Sequence, residues 1–261
     1  MNQEKIDQIE NTLARMIDEH LEGLFQKIVT DFGTDSFNAE ISDLENDPVY
    51  RDFGLGSSDY ALIRKVGRIS ISIGRRLGEI YDKIPRVIAE YAFGLTPEQV
   101  APILGGKLEL DTCIDFSQIN EIDKTSSRKL IHDIFGIDNI DGIGIEIRYN
   151  FNPNDSSRLR KDEDMARLIK EKNYIPIYLV FSTISPRDEA IARLDRAGWK
   201  FLIGNKAYQF INKLYGLDFD KLFIKPQIKA VIEKHIYRIM KALYSSDPFL
   251  SAAEKYTDYR A

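Results

Sequence analysis

A single cysteine in 261 residues, Cys113, excludes an intramolecular disulfide framework and any zinc site assembled from cysteines. No histidine is near it in sequence, so Cys113 is expected to be a small residue in or near the core and not a nucleophile. The chain has no apolar run of about 18 residues and no charged-then-apolar leader, which predicts neither a membrane span nor a secretory signal and points to the cytoplasm. It lacks a Gly-x-Gly-x-x-Gly turn and a Walker loop, which argues against the common nucleotide-binding α/β enzymes. Internal repeats and low-complexity segments are absent as well.

What remains is an ordinary globular composition, with 43% hydrophobic residues and a net charge of -5. That balance speaks against coating nucleic acid indiscriminately but leaves room for a local basic surface. One such stretch is Arg64 to Arg86, where Arg64, Lys65, Arg68, Arg75, Arg76, Lys83 and Arg86 face only Glu79 and Asp82. The cluster reads equally as a solvated helix face with ordinary ion pairs or as a contact for the DNA backbone. Gly67, Gly74 and Gly78 recur in the same helix and suggest a neighbouring backbone close by.

The most informative stretch is Asp141-Gly-Ile-Gly-Ile-Glu-Ile-Arg-Tyr-Asn-Phe151. Its alternation predicts a strand with Ile143, Ile145, Ile147 and Tyr149 on one face and Gly142, Gly144, Glu146 and Arg148 on the other. Glu146 and Arg148 then stand about 6 to 7 Å apart along the strand, with two glycines leaving room for something to approach. On a solvated edge strand the same residues would be unremarkable surface. A second alternating run, Lys107-Leu-Glu-Leu-Asp-Thr-Cys-Ile-Asp-Phe116, predicts Leu108, Leu110, Thr112 and Ile114 on one face and Lys107, Glu109, Asp111, Cys113 and Asp115 on the other. If the two runs pair, Asp111 meets Glu146 at about 5 Å. Two carboxylates that close repel unless a cation lies between them, so the pair implies a hard divalent metal.

Around these runs, Asn2 to Asp31 has the spacing of an amphipathic helix whose apolar stripe needs either the body of the chain or a second subunit. Gly33 to Ser58 reads as a loop-dominated connection, which places a boundary between an N-terminal helical region over 1–56, suited to dimerisation, and a core over 57–261. Ser57 or Ser58 caps the basic helix, and Thr96 opens another with Pro97 at N1 and Gln99 at N3. Lys124 to Ile134 reads as a short polar helix or excursion, with His132 a surface or packing histidine. Asn150 to Ser157 is a turn whose Asp155-Ser-Ser157 caps a helix to Lys172, and Tyr174 to Ser182 is a strand buried on both faces. Ser185-Pro-Arg-Asp-Glu189 starts a helix ended by Gly198, then come a strand over Trp199 to Ile203, a helix over Asn205 to Leu214, and a last helix, Gln227 to Tyr244, with His235 as a structural histidine. The alternation after residue 140 predicts an α/β fold with a mixed central sheet flanked by helices.

A helix with Glu79, a strand with Asp111, and a strand with Glu146-Ile-Arg148 follow the order of the PD-(D/E)xK nuclease core. The chain resembles that superfamily, and more narrowly the ApaLI-like type II restriction endonucleases, through Gly74-Arg-Arg-Leu-Gly-Glu79, Lys107-Leu-Glu-Leu-Asp111, Gly144-Ile-Glu-Ile-Arg-Tyr-Asn150, Asn152-Pro-Asn-Asp155 and Gly198-Trp-Lys-Phe-Leu-Ile-Gly204. The resemblance implies a restriction-endonuclease-like core and Mg²⁺-dependent cleavage of double-stranded DNA at a short palindrome by a homodimer. Asp111 and Glu146 would hold Mg²⁺, with Glu79 a further acid near it, and Arg148 would join Asp111 and Glu146 in the chemistry. Arg75, Arg76, Arg158, Arg160 and Lys161, with the loop from Asn150 to Ser157, would contact DNA. Two positions depart from the pattern. Leu110 precedes the aspartate where proline is usual, and Arg148 stands where lysine is usual. A guanidinium stays protonated and cannot act as a base, although it can orient a water or stabilise charge on a phosphate. A non-catalytic, sequence-specific DNA-binding protein on a nuclease-like fold is the alternative; a small-molecule α/β enzyme is the third reading.

Overall fold

Helical and strand periodicities alternate through a computed structural model that describes residues 1–151, 156–184 and 188–257. The chain divides into two compact units, Met1–Leu13 with Gly78–Lys225 and Ala14–Leu77 with Pro226–Ala261. The boundary read from the sequence after residue 56 lies inside the second unit. No glycine- or proline-rich linker marks the actual divisions, because helices α1 (Gln3–Asp31) and α4 (Ser58–Phe93) run through two of them.

In the helical unit, α1 buries Ile17, Leu21, Leu24 and Ile28. The apolar stripe is thus covered within one chain, which removes the stripe itself as a reason for a second subunit. The segment expected to be a loop folds as α2 (Thr34–Asn46) and α3 (Pro48–Asp52). Its polar residues are caps and exposed faces: the Asp47 carboxylate accepts from the Val49 and Tyr50 amides, while Phe37, Leu44 and Ala61 bury together. Ser57 caps the start of α4, its hydroxyl accepting from the Tyr60 amide at 3.3 Å. Much of the basic cluster is internally satisfied. Arg64 and Arg68 pair with Glu40, and the buried Lys65 ammonium donates to the Asp31 carbonyl and the Ser36 hydroxyl. Gly67 faces open space, so no backbone approaches there. The unit ends in α11 (Pro226–Tyr244), where His235 is fully buried against Asp18 at 2.7 Å, and α12 (Asp247–Thr257), which the sequence reading missed.

The other unit carries the sheet. Strands β1 (Ile103–Leu104) and β2 (Leu108–Glu109) make a small antiparallel hairpin, after α5 (Pro97–Val100) and its Thr96–Gln99 capping box. The run from Lys107 to Phe116 is therefore two strands, not one: β3 (Thr112–Asp115) follows a break at Leu110 and Asp111, where the Leu110 amide donates to the Pro102 carbonyl. After α6 (Glu121–Phe135), β4 (Gly142–Arg148) pairs antiparallel with β3 and parallel with β5 (Tyr174–Val180), and β5 is parallel to β6 (Lys200–Ile203). The sheet is mixed, in the order β3-β4-β5-β6, and flanked by α7 (Ser156–Glu171), α8 (Asp188–Ala197) and α9 (Asn205–Tyr215), with the short α10 (Phe219–Leu222) beyond. Central β5 is buried along its whole length.

The glycine face of β4 is not open. A Cβ at Gly144 would stand 2.9 Å from the Ile169 side chain of α7, and one at Gly142 would stand 2.8 Å from the Ile114 carbonyl. The glycines make room for the protein's own crossover helix and neighbouring strand, and Glu146 and Arg148 follow them at the carboxyl end of β4. Among the described residues no helix is long and apolar enough to cross a membrane.

Candidate functional site

The ladder that joins β3 to β4 ends with Thr112 opposite Ile145, and Asp111, one residue before it, brings its side chain to that of Glu146. Asp111 lies outside any strand, and its side chain continues the pairing: Oδ2 accepts the Ile147 amide at 2.9 Å. The guanidinium of Arg148 closes the arrangement. It donates from Nη1 to Asp111 Oδ2 at 2.8 Å and from Nη2 to Glu146 Oε2 at 3.0 Å. Asp111 Oδ1 accepts from Arg86 of α4, whose other Nη donates to Glu109. The three sequence-predicted catalytic residues thus meet at the carboxyl end of β4, the end at which open parallel sheets commonly bind ligands.

The site is largely sealed. Exposure of the side chains is 6% for Glu146, 13% for Asp111 and 18% for Arg148. Burial, then the neighbouring Asp111 charge, raise the Glu146 carboxyl well above its ordinary range. Burial opposes the charged form of Arg148, but Tyr178, Glu146, Asp111 and Asp82 around it outweigh that and hold it protonated. Beneath lies an aromatic floor: Tyr178 stacks on Phe201 at 4.8 Å and meets Trp199 edge-on, and its hydroxyl donates to Asp162 of α7 at 3.2 Å. Asp162 sits two turns before Ile169 on the α7 face that packs on β4, and burial raises its carboxyl too.

Helix α4 also brings an acid to the cluster that the sequence reading did not single out. Asp82, one turn after Glu79, is the α4 carboxylate that Asp111 and Arg148 act on electrostatically. Its Oδ1 is fully buried with no hydrogen-bond partner among the described residues. Burial, with Asp111 next, pushes it from 3.8 up to about 6. Asp82, Arg86 and Asp162 were missed because each reads as a polar residue of an amphipathic helix; only the packing aims them at β4.

Because folded Asp82 holds its proton more tightly than the unfolded chain does, its stabilising effect is full below pH 3.8 and is lost as pH rises through about 6. Asp82→Asn is expected to flatten that part of the stability curve and to be more stable than wild type above pH 6, as read from urea midpoints across pH. An unchanged slope would show that Asp82 titrates normally.

Arg158, Arg160 and Lys161 are exposed on the first turns of α7, and the Arg158 charge reaches Asp82 and Asp162. Arg75 and Arg76 belong to the helical unit. Asn152-Pro-Asn-Asp155, most of the expected DNA-contacting loop and the cap at Asp155, and Ser185-Pro-Arg187 lie outside the described residues. Cys113 is buried and its thiol is pushed up to about 12 by burial, as suits a packing residue. His132 is half-exposed beside Asp138 at 3.0 Å.

The residues suit Mg²⁺ in kind. Asp111 and Glu146 offer hard oxygen donors crowded enough that burial and the Asp111 charge disfavour the charged form of Glu146, and Asp82 Oδ1 is an unsatisfied oxygen in the same cluster. Among the described residues no three His, Cys, Asp or Glu side chains converge as a ready-made cage. Compared with known proteins, the chain matches no family model, no curated protein and no solved structure.

Proposed function

We propose that this protein is a Mg²⁺-dependent, site-specific endonuclease that hydrolyses phosphodiester bonds of double-stranded DNA, on a restriction-endonuclease-like core. The observation that carries the reading is the meeting of Asp111 with Glu146 across the β3–β4 pairing, with Arg148 on both. Asp111 and Glu146 hold the metal, which supplies charge for the phosphate and an acidified water. Arg86 and the Ile147 amide fix the Asp111 carboxylate from two sides, so its orientation is set before substrate arrives. Arg148 stays protonated and stabilises negative charge on the phosphate. It cannot take a proton, and Asp82, at about 6, is the carboxylate of the cluster whose proton affinity suits it to receive one. Arg158, Arg160 and Lys161 supply positive charge at the exposed start of α7, and Arg75 and Arg76 are further candidates for the DNA backbone. A palindromic site calls for a two-fold homodimer.

Plasmid DNA incubated with the protein should be cut to discrete fragments with Mg²⁺, remain intact with EDTA, and remain intact with Asp111→Asn. DNA left uncut by wild type with Mg²⁺ would overturn the proposal. The second reading, a non-catalytic sequence-specific DNA-binding protein, is favoured by one feature, the Arg148 guanidinium on the oxygens a metal would need. Specific binding without cutting would select it.

A further inference from the structure

Three oxygens bear on one guanidinium. Arg148 Nη1 lies 2.8 Å from Asp111 Oδ2 and 2.5 Å from the Ile147 carbonyl oxygen, and Nη2 lies 3.0 Å from Glu146 Oε2. These are two carboxylates and a carbonyl, the hard donors that also suit a small divalent ion. The same oxygens cannot serve both cations, because a guanidinium and a divalent ion at that separation repel across a buried site with little screening.

The guanidinium is also incompletely satisfied where it sits. Its Nε is buried without a hydrogen-bond partner among the described residues, and so is Asp82 Oδ1 in the same cluster. A buried arginine serving only as a structural bridge would be expected to have its donors met. One unused donor and one unused acceptor thus belong to side chains whose charges act on each other.

We propose that Arg148 is the resident cation of this site and exchanges with the divalent metal, leaving Asp111 and Glu146 as the metal arrives and turning toward Asp82 and the bound phosphate. The protein's own charge thereby keeps a buried carboxylate pair neutralised until metal and substrate replace it, and metal affinity is set by the competition. The inference takes the identity of the metal from the nuclease reading, but its test does not depend on cleavage.

The test titrates Mn²⁺ alone, without DNA, into full-length wild type, Arg148→Ala, Arg148→Met and Arg148→Ala with Asp111→Asn, by calorimetry and by the resonance of free Mn²⁺. Met keeps an apolar stem in place of the arginine's own and guards against a packing defect. Both single variants should bind Mn²⁺ at least about tenfold more tightly than wild type, and adding Asp111→Asn should abolish the gain. Equal or weaker binding in both folded single variants would overturn the exchange. Should neither fold without metal, as circular dichroism would reveal, refolding on Mn²⁺ addition supports it and failure to refold overturns it. Tighter Mn²⁺ without DNA cleavage by wild type would leave the exchange standing and remove the nuclease reading. Cleavage by wild type with no gain in Mn²⁺ affinity would do the reverse.

Discussion

Arg148→Ala is expected to slow single-turnover DNA cleavage by about 10²-fold or more, the usual cost of deleting one positioned group that stabilises transition-state charge, while Arg148→Lys retains measurable cleavage. The contrast follows from chemistry: lysine preserves a charge that can reach the phosphate, alanine does not, and basicity plays no part because the guanidinium is protonated throughout. With the cation exchange, Arg148→Ala should combine tighter metal with slower turnover, a pairing that a merely structural arginine would not produce. Near-wild-type rates in both variants would show that Arg148 has no role in the reaction.

The second large effect is on stability. From the alternating pattern, Asp111 and Glu146 lie outside the apolar faces, and their removal would then leave the fold untouched. The structure corrects this. Asp111 accepts from the Ile147 amide, Arg148 and Arg86 with only 13% of its side chain exposed. Asp111→Ala removes one carboxylate partner from each of two largely buried guanidinium groups and leaves the Ile147 amide without its acceptor, so it should destabilise by about 3 kcal/mol, the lower end for breaking a buried ion pair from one side. Urea unfolding of wild type and variant measures the difference, and a loss under about 1 kcal/mol would mean the pair is effectively solvated. For the same reason Asp111→Asn, which keeps the shape and an acceptor oxygen, is the sounder variant for cleavage assays.

Some elements were legible because a local cause suffices. The alternation in Gly142–Arg148, the continuous apolar run in Tyr174–Val180 and the 3.6-residue spacing in Gln3–Asp31 each follow from which side chains must leave water. That Asp111 would come beside Glu146 if the two runs paired was also foreseeable, since both lie at fixed steps from apolar residues that had to face the same core. The region from Gly33 to Ser58 misled because Asp, Asn, Gly and Ser mark caps as readily as loops, and short helices there are separated by single capping residues. The Lys107 to Phe116 run broke in two because the chain needs to turn from the hairpin into the sheet, a requirement of topology to which alternation is blind.

What the sequence determined by itself is the α/β class, the long helices and main strands, and the three residues brought together at the end of β4, because hydrophobic periodicity and strand register are local rules. What only tertiary structure decided is which helical side chains join them. Asp82 beside Asp111 and Arg148, Arg86 on Asp111 and Asp162 under Tyr178 depend on how α4 and α7 pack onto the sheet, and a polar residue on a helix carries no mark of what it will face. Likewise, the two glycines of β4 promise only space. That Ile169 and the neighbouring strand fill it is settled by close packing of the crossover helix, which no short-range pattern encodes.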